Sequence, residues 1–136
     1  MIAIAIIGMI VAISVPVYKG YTEQAQMALV TQHFDTAIGT ARQAFLDARI
    51  RVANGLQSNL PASTTEWISL FDQHHSAAPG GGNAYTTTML GDGSTGAIGV
   101  SYDETANETT ITRPAYRQLT AYQARVNMQT HELTEL

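Results

Sequence analysis

The chain has 136 residues, 45% of them hydrophobic, no cysteine, and a formal charge of −4 from 7 basic and 11 acidic side chains. This excludes a disulfide framework, a thiolate metal site and a cysteine nucleophile, and it argues against a nucleic-acid binder that works by neutralising phosphates. The charge is uneven: residues 1–53 carry four basic and three acidic side chains, the remainder three basic and eight acidic.

Residues 1–17 read MIAIAIIGMIVAISVPV, 14 of them Ala, Val, Ile, Leu or Met, and no charge appears before Lys19. As a helix this run is about 25 Å long, slightly short of the ~20 residues of a full bilayer span. A secretory signal peptide needs a basic stretch ahead of its apolar core, and none is present here. A simple membrane anchor and a segment that first spans lipid and later packs in protein both remain. Pro16 lacks an N–H, and Gly8 and Ser14 loosen the same stretch, so a kink or local unwinding is expected between Gly8 and Pro16.

From Thr22 to Ala53 the apolar positions Met27, Val30, Phe34, Ala37, Ala41, Ala44, Ala48 and Val52 advance by three or four, which predicts one helical face. Asp47 and Arg51 are spaced for a supporting i, i+4 pair, and Asn54-Gly55 should end the helix. Residues 1–53 are therefore read as one helix of about 80 Å. What remains is roughly 80 residues, enough for a small sheet and too little for a large enzymatic cleft. Such a head cannot cover the apolar first third of the helix.

Ser63-Thr64-Thr65-Glu66 matches a capping box and opens a short helix with Trp67 as a core anchor. Pro79-Gly80-Gly81-Gly82 is a breaker. Four strands are then expected at Ala84–Leu90, around Ile98, Val100 and Tyr102, at Thr109–Arg113 and at Leu119–Met128, the last with Tyr122, Ala124, Val126 and Met128 on one face. Short connections favour an antiparallel meander. The expected class is α+β, a long N-terminal helix with a four-stranded antiparallel sheet on its C-terminal half. Its parts are an apolar segment over 1–21, an amphipathic segment over 22–54, a connector with a short helix over 55–83, and a sheet domain over 84–136.

Chemistry-bearing patterns are sparse. His74-His75 lacks the further converging ligands of a zinc site. Asp92, Asp103 and Glu104 offer oxygen ligands without EF-hand spacing. Gly91–Gly96 lacks the Lys and the following helix of a phosphate cradle and reads as a turn. Asn107-Glu108-Thr109 matches the N-glycosylation pattern and is read as unmodified, and Met1, Met9 and Met27 read as helix packing. No Ser, His and acid grouping stands out. The chain is read as non-enzymatic, with no catalytic residue, metal or cofactor.

The segment MIAIAIIGMIVAISVPVYKGYTEQAQ resembles the N-terminal helix of type IV pilins and pseudopilins, with a Gly at Gly8, a Pro at Pro16 and the aromatic pair Tyr18 and Tyr21. Trp67-Ile68-Ser69-Leu70, Ala78-Pro79-Gly80-Gly81-Gly82 and Ile111-Thr112-Arg113-Pro114-Ala115-Tyr116 are similar to phrases of bacterial pilins. The resemblance implies a structural subunit held in the inner membrane and then stacked by an assembly machinery into an extracellular pilus, a helical homopolymer for adhesion or a related task. Ile4, Ile7, Gly8, Ile10, Val11, Pro16, Tyr18 and Tyr21 would lie in the filament core, and Met27, Val30, Phe34, Ala41 and Trp67 would pack helix on sheet. It further implies a leader ending in Gly, an N-methylated Phe and an early Glu, none of which is in the sequence; some six residues ahead of Met1 would complete a bilayer span. Family members often close the C-terminal region with a disulfide, which this chain cannot form. A type II secretion pseudopilin and a monomeric membrane-anchored binding domain are the other readings.

Overall fold

The computed structural model describes residues 2–129 and 131–136, with the side chains of residues 131 and 133 outside the description; Met1 and its predicted packing lie outside it as well. Helix α1 runs from Ile2 to Ala53. Its front is rich in Ile and Val, residues with some strand preference, and a helix pairs most backbone groups within the segment itself, as an apolar environment demands. Its rear is rich in Ala, Gln and Arg, strong helix formers.

The unwinding expected between Gly8 and Pro16 is absent from the structure: α1 is helical throughout, with Pro16 inside it. A proline removes only one intrahelical bond, here to the carbonyl of Ala12. Ser14 meanwhile turns its hydroxyl inward to the Ile10 carbonyl, 2.8 Å away. At the other end Gly55 adopts φ +75°. Its N–H bonds the Val52 carbonyl at 3.0 Å and the Leu56 N–H bonds that of Arg51 at 2.9 Å, the paired bonds of a left-handed glycine stop. Asp47 and Arg51 do not pair with each other. Asp47 accepts from Asn59 at 2.8 Å and Arg51 donates to the Gln57 carbonyl at 3.3 Å, so both tie the following loop to the helix.

Helix α2 (Thr64–Phe71) begins at the capping box read from the sequence. The Glu66 N–H donates to Ser63 Oγ at 3.3 Å, and the Glu66 carboxylate accepts from the Ala62 N–H at 2.8 Å, one residue ahead of the usual partner. Trp67 and Phe71 point into the core.

The sheet corrects the expectation in two ways. It has five strands, β1 (Tyr85–Thr86), β2 (Ile98–Asp103), β3 (Glu108–Arg113), β4 (Tyr122–Asn127) and β5 (His131–Glu135), in that spatial order, and it is mixed. β1 lies parallel to β2, and the other pairs are antiparallel. The Thr-rich run from Ala84 yields only two strand residues because the chain then folds back over β2. A Cβ at Gly99 would collide with the backbone at Thr88, Met89 and Gly91, so only glycine in β2 admits that turn. The loop through residue 97 then carries the chain to the start of β2 in the same direction, which a parallel pair requires. β5 escaped notice because its polar alternation, with Glu132 opposite Arg125, carries little apolar signal.

The core lies between α1, α2 and one face of the sheet. Val30, Phe34, Ala37, Ile38, Ala41 and Phe45 from α1 meet Trp67 and Phe71 from α2 and Ile98, Val100, Ile111, Ala124 and Val126 from the strands. Arg113 places its guanidinium 5.6 Å from the ring centres of both Phe34 and Tyr122, which lets a cation sit over the helix–sheet seam.

Candidate assembly surface

The head stops covering α1 near residue 30. Val30 is fully buried, against Tyr116 and the close approach of Gly96. Ahead of it Met27 is partly buried against the core, and the loop after β3 reaches the helix: Arg117 pairs with Glu23 at 3.0 Å, and the Tyr116 hydroxyl donates to Gln26 at 3.4 Å. From Ile2 to Gly20 every residue is exposed.

That exposure falls on large apolar side chains. Ile2, Ile4, Ile6, Ile7, Met9, Ile10, Val11, Ile13, Val15 and Val17 are between 46% and 79% exposed, and Tyr18 and Tyr21 reach 69% and 73%. Burying a large aliphatic side chain is worth ~1.5–3 kcal/mol. Ten of them at these exposures leave roughly 10–20 kcal/mol unrealised in water, more than the ~5–15 kcal/mol that holds a typical domain folded. The hydroxyls of Ser14 and Thr22 turn back onto the helix, to the Ile10 carbonyl and to the Lys19 carbonyl at 2.9 Å. The segment is long and apolar enough to cross a membrane, and none of it is buried in the chain's own fold.

The two sets of sequence-predicted residues separate cleanly. Ile4, Ile7, Gly8, Ile10, Val11, Pro16, Tyr18 and Tyr21 are all exposed on the free rod. Val30, Phe34, Ala41 and Trp67 are 4% exposed or less, and Met27 is half-buried against the same core. Val52, read as part of the buried face, is 52% exposed, whereas Ile38 and Phe45 are buried and were missed. Phe45 stacks on Trp67 at 5.3 Å. Phe45 follows Ala41 by four residues, so the helical spacing that marks Ala44 marks the bulkier Phe45 equally well.

Trp67 is enclosed by Phe45, Phe71 and Tyr102, and its Nε1 has no partner. The orphan N–H costs about 1–3 kcal/mol, tolerated because the indole is the largest side chain fully buried here. His33 borders a cleft between α1 and the segment after α2. Burial lowers its pKa below 6.5 against a smaller opposing pull from Asp72, so it is neutral at neutral pH. The Tyr85 hydroxyl, raised to about 12 mainly by burial, donates to the His33 carbonyl at 3.0 Å.

The oxygen-bearing residues do not converge. Asp92 accepts from the N–H and hydroxyl of Ser94, bonds that lower its pKa, while Asp103 accepts from Thr105 and Ala106 at the opposite end of β2. His74 and His75 are both exposed, and Asn107 accepts from the Tyr102 hydroxyl at 2.9 Å. Among the described residues no three His, Cys, Asp or Glu side chains are placed to hold one metal ion.

A 52-residue N-terminal helix with an apolar front, followed by a sheet, is consistent with a pilin-like layout. Compared with protein-family models, with curated proteins and with solved structures, the chain matches none.

Proposed function

We propose that this chain is a structural subunit that polymerises through the front of α1 into an extracellular filament of the type IV pilus kind, after a stage in the inner membrane. The observation that carries the reading is the free apolar rod, whose side chains have no cover within the subunit. In a bilayer those side chains face lipid, and in a filament they face the same side chains of other copies, so the transfer between the two costs little. Tyr18, Lys19 and Tyr21 follow the apolar run at the position where aromatic and basic side chains mark a membrane boundary. One heterologous contact repeated without closure builds a helical polymer from a single sequence. The bond missing at Pro16 makes the stretch from Gly8 the place where the rod opens as it packs.

The test is to purify the full chain in detergent and then remove the detergent. Negative-stain electron microscopy should reveal thin filaments of uniform width. A monodisperse, water-soluble monomer would overturn the reading, and reconstitution only as isolated copies in vesicles would favour a membrane-anchored domain instead.

A further inference from the structure

One face of α1 is used neither by the sheet nor by the apolar front. It carries Gln32, Thr36, Thr40, Gln43 and Asp47, whose spacing sets them in a single stripe roughly 22 Å long. Asn59, Leu70 and Gln73 stand opposite, from the loop after α1 and from α2 and its end. Two clefts of about 440 and 340 Å³ share Thr40, Gln43, Leu70 and Gln73 and so form one continuous groove.

The lining selects its ligand. No Lys or Arg faces the groove, its imidazoles are those of His33 and of the exposed His74, and the carboxylate of Asp47 is already engaged by Asn59 at 2.8 Å. An anion would lose its hydration there and meet no Lys or Arg in return. The floor is apolar, with Leu70, Phe71 and Tyr85, and His33 at one end is kept neutral by burial. Among the described residues the side chains of Gln32, Thr36, Thr40, Gln43 and Gln73 make no hydrogen bond within the chain. Amides and hydroxyls both donate and accept, which suits a ligand dense in neutral hydroxyl groups. An extended peptide needs a free sheet edge to pair its backbone, whereas this groove is walled mainly by helices whose backbone bonds are complete.

We propose that the groove between α1 and α2 binds a neutral oligosaccharide, gripped by the amides and hydroxyls of Gln32, Thr36, Thr40 and Gln43 on one wall and Gln73 on the other. The proposal rests on the head alone and holds whether or not the chain polymerises.

The experiment is saturation-transfer NMR on the dispersed full chain in a zwitterionic detergent without a sugar headgroup. The probes are neutral gluco-, galacto- and manno-oligosaccharides, with hexuronate oligomers and Ser/Thr/Gly peptides as the charged and peptide arms. At least one neutral series should give transfer while the hexuronates give none. The pair Gln43→Ala and Gln73→Ala should weaken that binding about tenfold with an unchanged melting curve, as both side chains are exposed. Thr36→Val, nearly isosteric, should weaken it less. Silence from every neutral series, stronger transfer to the hexuronates or peptides, or full binding by the double variant would each overturn the proposal.

Discussion

The front and the rear of α1 are one unbroken helix with opposite fates. From Ile2 to Gly20 every residue is exposed, whereas seven residues between Val30 and Ala48 are buried under the sheet and α2. Both are helical, and the denser supply of apolar side chains is in the front, the half that stays exposed, so apolar content alone does not decide burial. The difference is in pattern. A rear with one apolar stripe is completed by a single partner on that side, whereas a front that is apolar all round requires cover on every side. A head of this size supplies the first kind of cover and not the second.

That contrast can be broken most sharply from the front. A double substitution Ile7→Asp with Ile10→Asp places two carboxylates mid-rod, at ~2.5–3.5 kcal/mol each against insertion in a membrane. Membrane association and filament formation should both be lost in flotation and microscopy assays, while the head's melting temperature stays unchanged. The mirror experiment strikes the rear. Trp67→Ala should cost the head about 3–5 kcal/mol, seen as a lower melting transition in near-ultraviolet circular dichroism, and leave the front's membrane association intact.

Smaller effects refine the rear alone. His33 has a folded-state pKa below its unfolded 6.5 because of burial. The unfolded chain therefore takes up the proton first, and this group's contribution is present above pH 6.5 and lost as the pH falls through that value towards the folded pKa. Thermal melts across this window should decline in the wild type and less steeply in His33→Gln. Arg117→Gln should shift the melt least of all, because the Arg117–Glu23 pair is exposed, at 38% and 47%.

How much of this was legible in the sequence follows from where each signal resides. The rod, the Asn54-Gly55 stop, the Ser63–Glu66 cap and the core roles of Val30, Phe34, Ala41 and Trp67 are local or periodic features, and one chain displays them directly. The parallel placement of β1 depends on the turn at 88–91 lying over Gly99, a contact between segments that no spacing rule reveals. β5 lies at the edge of the sheet, and a single leucine among its five residues carries no hydrophobic alternation for the sequence to display. The groove along Gln32 and Gln43 looks like an ordinary solvated stripe until α2 is seen standing over it.

The central claim is that copies of this chain keep the front of α1 dry. Because the chain has no cysteine, Ile10→Cys carries a single spin label at a unique position, and electron paramagnetic resonance after detergent removal reads its surroundings. Strong dipolar broadening from neighbouring labels is expected, together with protection from a water-soluble relaxation agent. A sharp, magnetically isolated spectrum fully open to that agent would contradict the claim.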